Sequence, residues 1–217
     1  HPRIAWRGNA KVARIVRDPA GWRLLGETGD DLAQAPLVVV AAAYASAALL
    51  SQAPALQPVR GQVSWGMADA QARLPSFPMH GNGHLLPRVP MPGGDVWLCG
   101  ATYARDDTSL AERTPDHADN LARLRKLAPR TARQLAPVFQ AGAVRAWVQL
   151  RCVSSDRRPL LGEMAPGLWL STAMGSRGLT FSMLCAELMA ARLHREPLPL
   201  PRKLATALDA RRGLQAK

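Results

Sequence analysis

The sequence predicts a mixed fold of the α+β (α/β) class. Three observations carry that prediction: a strand-to-helix unit stands at each end of the chain, strand-like runs dominate the middle, and no internal repeat organises the whole. The 217 residues suffice for one large domain or two small ones with a real core. Hydrophobic residues make up 47% and charged residues 20%, a globular balance that excludes a disordered chain.

The elements follow in order. "AKVARIVRD" and "GWRLLGE" are strand-like runs joined by the turn "DPAG", and "ETGDD" is the next turn. "PLVVVAAA" is a continuous apolar run, the pattern of a strand covered on both faces, and the residues after it to about Ser51 suit a short helix. "PVRGQVSWGM", Pro58 to Met67, restarts as a strand after a proline-rich linker. Residues 68–94 carry prolines and glycines at short intervals and read as loops and short strands. "DVWLCGATYARDD" is a strand ending in a charged turn. "TPDHADNLARLRKLAPRTARQL" holds a capping signal and leucines at helical spacing (Leu121, Leu124, Leu127), hence one or two helices interrupted near Pro129. "AVRAWVQLRCVSSD" puts Val144, Ala146, Val148 and Leu150 on one face of a strand, and "PGLWLSTAMG" is a short buried strand. "LTFSMLCAELMAARLH" is the most apolar helix, expected to be buried, and a proline-rich linker leads to a last short helix.

The formal charge is +12, from 28 basic and 16 acidic residues, which favours polyanionic partners, nucleic acid first. The basic residues are scattered along the sequence, and a GC-rich genome explains an arginine-rich composition equally well. Cys99, Cys152 and Cys185 are odd in number and far apart, so no disulfide framework is expected and a reducing cytoplasm is the default. No signal peptide opens the chain, and its most apolar stretch, Ala35 to Leu50, falls short of the roughly 20 residues that span a bilayer. No membrane role is expected. The chain begins "HPRIAW", without methionine, and reads as the middle of something longer.

Four stretches bear on chemistry. In "STAMGSRGLT", Gly175 and Gly178 bracket Ser176 and Arg177 where a strand passes into a helix, with Leu179 next. A helix N-terminus offers unpaired N–H groups and the positive end of a dipole, and glycines let a flat, electron-rich ring approach the backbone. By spacing alone, an ordinary connection whose glycines fit a tight turn is the commoner reading. In "LRCVSSDRRPLLGE", Arg151 closes a strand, so its guanidinium is expected at one end of a sheet, suited to a carboxylate or else paired with Asp156 on the surface. Arg60 and Gly61 open the strand "PVRGQVS", where glycine permits a close backbone approach or an edge bulge. Tyr103, in "CGATYARDD", is placed to wall a pocket or simply to pack with its hydroxyl exposed. No G-x-G-x-x-G, P-loop or G-x-S-x-G occurs, and His80 and His84 lack a third neighbour for a metal, so no metal site is expected.

Together "PVRGQVS", "CGATYARDD", "LRCVSSDRRPLLG" and "MGSRGLTFSMLCAELMA" resemble, in order and spacing, the D-amino-acid and glycine oxidase-like flavoproteins. Within them the chain is most similar to the FAD-dependent oxidoreductase domain of the bifunctional tRNA (5-methylaminomethyl-2-thiouridine) biosynthesis proteins. The resemblance covers essentially the whole chain and corresponds to the C-terminal part of a D-amino-acid oxidase-like FAD fold. It implies a partial nucleotide-binding domain plus a substrate domain with a mixed or antiparallel sheet. Residues 1–60 would be the returning segment of the FAD domain, 61–145 the substrate domain and 146–217 the C-terminal FAD-binding segment. The fingerprint glycines would lie upstream of His1, so residues 1–217 alone are expected to bind FAD weakly or not at all and to be inactive.

The resemblance also implies an activity: oxidative removal of the carboxymethyl group from carboxymethylaminomethyl(-2-thio)uridine at the tRNA wobble position, giving the aminomethyl form and glyoxylate. Arg151 matches the residue that grips the substrate carboxylate, and Gly175, Ser176, Arg177, Gly178 and Leu179 match the loop lining the flavin pyrimidine edge. Within the other resembling motifs, Arg60 and Gly61 are further candidates for FAD binding and Tyr103 is the candidate for the pocket wall. The implied partner is tRNA, with a methyltransferase fused upstream in a monomeric, cytoplasmic, multifunctional enzyme. No general base is implied. Where the family usually has glycine this chain has Ala43, whose methyl is expected to crowd the cofactor. Two alternatives stand beside this reading: an FAD-dependent oxidase or dehydrogenase of glycine, sarcosine or D-amino acids, and a non-catalytic basic RNA-binding module.

Overall fold

The structure, a computed structural model, describes residues 2–68 and 73–214. Residues 69–72, within the stretch expected to form loops and short strands, lie outside the described residues. In chain order the first elements are β1 (Arg14–Asp18), β2 (Gly21–Leu25), β3 (Asp31–Ala35), β4 (Val38–Val40) and a 3-10 helix at Ala43–Leu49. Next come β5 (Leu56–Met67), β6 (Met79–Gly81), β7 (Gly83–Met91), β8 (Gly94–Gly100), β9 (Ala104–Arg105), α1 (Thr114–Leu127) and α2 (Pro129–Gln140). The chain continues through β10 (Arg145–Ser154), β11 (Leu160–Ala165), β12 (Leu168–Thr172), a 3-10 turn at Gly175–Arg177 and α3 (Gly178–His194). It closes with α4 (Arg202–Thr206) and a 3-10 helix at Ala210–Leu214. These elements form two units, His1–Gln57 with Arg151–Lys217, and Pro58–Leu150.

In the first unit β1, β2 and β3 form an antiparallel meander. Gly21, at φ +138°, is required there, since a Cβ would fall 2.4 Å from the Ala35 carbonyl oxygen. The sequence reading has no β3, because "DLAQA" lacks the β-branched and aromatic residues that mark strands; pairing with β2 makes it one. A second sheet has the order β11-β12-β4, with β12 antiparallel to β11 and parallel to β4. Val38, Val40, Leu160, Leu168, Leu170 and Cys152 form its core.

Two expectations are corrected in this unit. The run "PLVVVAAA" yields only a three-residue strand with one covered face: Val38 and Val40 are buried, whereas Leu37 and Val39 are each 40% exposed. The alanines that follow leave the strand because Ala43 turns the chain in the left-handed region, at φ +49°. That conformation is strained for any residue with a Cβ, which crowds its own chain there. Ala43→Gly is therefore expected to stabilise the protein by about 0.5–1 kcal/mol, read as a raised thermal midpoint. The second correction concerns α3, which buries Cys185, Leu188 and Ala191 but leaves Leu179 93% and Met183 69% exposed. Its composition is apolar all round, and composition alone does not say which side is covered.

The second unit is a sheet of order β10-β5-β8-β7-β6, with β9 also pairing to β5. β7 is longer than the loops and short strands expected, because its two prolines are accommodated: the register shifts between Leu86 and Val89, around Pro87, and Pro90 lies near the hairpin end. α1 and α2 meet at Ala128, where Pro129 forbids a continuous helix. Leu121, Leu124, Ala128, Ala132 and Leu135 pack on Leu85, Trp97 and Cys99. Burial pushes the Cys99 thiol up to about 12, so it stays a neutral core group. Among the described residues no helix is long and apolar enough to cross a membrane.

Candidate functional site

In the first unit β4 and β12 run parallel and end side by side. Past each end the chain turns through a left-handed alanine, Ala43 and Ala173 at φ +49° and +61°. The hydroxyl of Thr172 donates to the Ala43 carbonyl at 2.9 Å, tying the two ends together. Ligands of open α/β sheets bind outside the carboxyl ends of parallel strands. Gly175, Ser176, Arg177, Gly178 and Leu179 stand at this point, at the turn from β12 into α3.

The two glycines differ in origin. Gly175 has φ +59°, and a Cβ on it would come 3.2 Å from Val153 Cγ1, so the fold itself favours glycine. Gly178 has the helical φ of −55°, and the nearest atom to an added Cβ is Met174 Cβ at 4.0 Å. Nothing within the chain excludes alanine at Gly178, and alanine forms helix better. Room is thus left open at the N-terminus of α3, where no side chain caps the free N–H groups. Ser176 and Leu179 are exposed, and the guanidinium of Arg177 lies 4.9 Å from the ring centre of Phe181.

Arg151 does not close its strand; β10 runs on to Ser154. Val153, two residues on, bridges to Met174 and presents its side chain to Gly175. Strand alternation puts Arg151 on the same face as Val153, and it is half-buried. The structure therefore brings the Arg151 face of β10 and the Gly175–Gly178 turn to one side of this unit. Arg212 grips Asp156 through Nε and Nη2, at 3.2 and 3.0 Å. Burial opposes ionisation of Asp156, but hydrogen bonds from Arg212, the Arg158 backbone and Ser154 outweigh it and hold the carboxyl at about 2.

Tyr103, Arg60 and Gly61 belong to the second unit. Tyr103 lies between β8 and β9 and is 55% exposed. Gly61 is buried within β5. Arg60 is fully buried, and its guanidinium donates to Asp116, Gln62 and the carbonyls of Ser109 and Ala111. Its side chain is committed to holding the segment before α1 on β5. Gln62 and Ser64 follow at period two on the same face and are fully buried as well. Asn120 donates to the Gln62 carbonyl and to Ser64 Oγ, each at 3.0 Å. His117 Nδ1 lies 2.7 Å from Ser64 Oγ and Nε2 lies 3.0 Å from Glu112. These are the residue types of a nucleophilic relay, but no substrate reaches a serine with zero exposure; the network is a polar seam between sheet and helix. The sequence reading missed it, although Arg60, Gln62 and Ser64 alternate in a strand and Asp116 and Asn120 lie one helical turn apart.

His80 and His84 face each other across the β6–β7 hairpin, and among the described residues no three His, Cys, Asp or Glu side chains are placed to hold a metal. A cleft of about 720 Å³ opens between β1, β4 and the first 3-10 helix; its lining is apolar apart from Lys11 and Glu27, which pair at 2.6 Å.

The sequence pattern of the FAD dependent oxidoreductase family, DAO, matches residues 4–192. The chain belongs to this family of FAD-dependent oxidoreductases. Among curated relatives, the tRNA 5-methylaminomethyl-2-thiouridine biosynthesis bifunctional protein MnmC of Polaromonas naphthalenivorans is 44% identical over 95% of the chain and 34% of its own length. That of Delftia acidovorans is 47% identical over 97% of the chain and 36% of its own length. The chain thus spans about a third of the length of these relatives. Among solved structures, glycine oxidase from Geobacillus kaustophilus superposes with a TM-score of 0.71 at 20% identity, covering 93% of the chain and 51% of that protein. Iminodiacetate oxidase from Chelativorans sp. BNC1 gives 0.67 at 21% identity, covering 91% and 52%. They show the D-amino-acid oxidase-like fold, as the sequence motifs imply. For an FAD-dependent oxidoreductase the open N-terminus of α3 and the unfilled space at Gly178 fit the polar edge of a flat ring.

Proposed function

We propose that this chain is the C-terminal part of an enzyme that removes the carboxymethyl group from carboxymethylaminomethyl(-2-thio)uridine at the tRNA wobble position. The observation that carries the proposal is identity of 44–47% over nearly the whole chain to proteins named for tRNA 5-methylaminomethyl-2-thiouridine biosynthesis. The carbon between the amine and the carboxylate loses two electrons as hydride, the amine loses a proton, and the product is an imine. Water adds to that imine and releases the aminomethyl nucleoside and glyoxylate. FAD, when bound, supplies the acceptor for the hydride.

The chain's own residues bind and orient. Arg151 holds the carboxylate through its planar fork, so that the reacting carbon is fixed at a set distance from it. The N–H groups at the start of α3 hold the pyrimidine edge of the flavin, favouring the charge that gathers there on reduction. Gly178 stays without a side chain so that the ring can lie close. Gly178→Ala is then expected to act with two signs. Apoprotein stability rises by up to about 1 kcal/mol, from helix propensity. The affinity for FAD falls at least about tenfold, some 1.4 kcal/mol, measured by flavin titration.

The test of the whole reading is the flavin band near 450 nm in the full-length holoenzyme (roughly where oxidised flavins absorb). Bleaching by carboxymethylaminomethyl-modified tRNA and not by sarcosine supports it. Bleaching by sarcosine, glycine or a D-amino acid alone assigns the enzyme to small-molecule oxidation.

A further inference from the structure

Against the scatter of basic residues over the whole chain, one stretch concentrates them. Between Asp119 and Asp156 the chain carries seven basic residues and no acidic one. Five of the seven, Arg123, Arg125, Lys126, Arg130 and Arg133, lie on α1 and α2. The buried positions here are Asn120, Leu121 and Leu124 on α1, Ala128 at the corner, and Thr131, Ala132 and Leu135 on α2. Each taken on its own helix, Lys126, Arg130 and Arg133 lie about 150° round from the middle of these buried positions, while the half-buried Arg123 flanks them. Lys126 is therefore on the outward side of α1, and Arg130 and Arg133 are on the outward side of α2, to either side of the break at Ala128. Lys126, Arg130 and Arg133 are exposed, and among the described residues none of them has a carboxylate within 4.0 Å. Arg123 donates to the neutral side chain of Asn82, at 3.2 Å. Elsewhere the cations are more often answered: Lys11 by Glu27, Arg23 by Asp31, Arg113 by Asp107 and Arg212 by Asp156.

We infer that the outer face of the α1–α2 corner is the docking surface for the phosphodiester backbone of the tRNA, an inference that rests on the function proposed above. An uncompensated group of cations carries self-repulsion that a polyanion relieves, and each phosphate it meets releases a counterion. The face bears no aromatic side chain to read bases, so it positions the tRNA without selecting its sequence.

The experiment measures binding of carboxymethylaminomethyl-modified tRNA to the full-length holoenzyme between 50 and 300 mM salt (about the range in which counterion release is read). K126Q/R130Q/R133Q is expected to bind about tenfold or more weaker at 100 mM salt, with the slope of log K against log salt reduced by about 2–3. R195Q/R202Q/K203Q removes the same charge from exposed positions of the first unit and is expected to retain wild-type affinity within about threefold. Wild-type affinity and slope in the first variant, or equal weakening in both, overturns the docking surface while tRNA-dependent bleaching leaves the enzymatic reading intact. A wild-type holoenzyme that neither binds nor reacts with this tRNA overturns both. A readout independent of substitution uses the unaltered protein: saturating tRNA is expected to shield Lys126 from acylation by an N-hydroxysuccinimide ester and to leave Lys203 reactive. Lys126 acylated at its free rate in the complex overturns the inference.

Discussion

Arg60→Leu is expected to destabilise the second unit by about 3–5 kcal/mol, the range for breaking one partner out of a buried ion pair. Arg60 has no exposed surface, and its removal orphans several groups at once: the Asp116 carboxylate and the carbonyls of Ser109 and Ala111, with Gln62 losing a partner. Asp116 is itself mostly buried, so its charge would be left in a poor solvent. Arg60→Lys keeps the charge but not the fork, and it should recover only part of the loss. Denaturant unfolding of the full-length protein measures the effect. A change below about 1 kcal/mol for the leucine variant would mean that the seam between β5 and α1 contributes little.

Arg151→Met is expected to lower kcat/KM for modified tRNA by about 100-fold or more, since a fork-to-carboxylate pair contributes roughly 3 kcal/mol and each 1.4 kcal/mol is tenfold. Because Arg151 stands within β10, whose backbone pairing does not depend on its side chain, the 450 nm band should be retained (the band being the flavin's own). Arg151→Lys should fall between the two, separating charge from geometry. Equal turnover by the methionine variant would remove Arg151 from the site. Loss of the flavin band together with activity would instead mark it as a structural residue of β10.

Much of this was legible in the chain. Alternation in "AVRAWVQLRCVSSD" placed Ala146, Val148 and Leu150 on the less exposed face of β10, as its burial pattern shows. Pro129 marked the break between α1 and α2, and the turn "MGSRGL" marked the start of α3. Other features depended on partners distant in sequence. β3 exists because β2 pairs with it, and β7 is long because a register shift accommodates Pro87. Arg60 read as the start of a strand and a candidate for FAD binding because nothing local announces Asp116, 56 residues away, as its partner.

The sequence by itself determined the fold class, the family and the order of the elements, because periodicity, turn residues and short motifs are local properties that survive without a third dimension. The tertiary structure alone decided which groups are buried and which glycine is favoured by the chain. It set Gly175 by its left-handed backbone against Val153, and left Gly178 with open space. It also left Lys126, Arg130 and Arg133 exposed on α1 and α2 with, among the described residues, no carboxylate within 4.0 Å. The physical reason is common to all three: exposure, steric clearance and charge density depend on neighbours brought together by packing, and those neighbours are rarely adjacent in the chain.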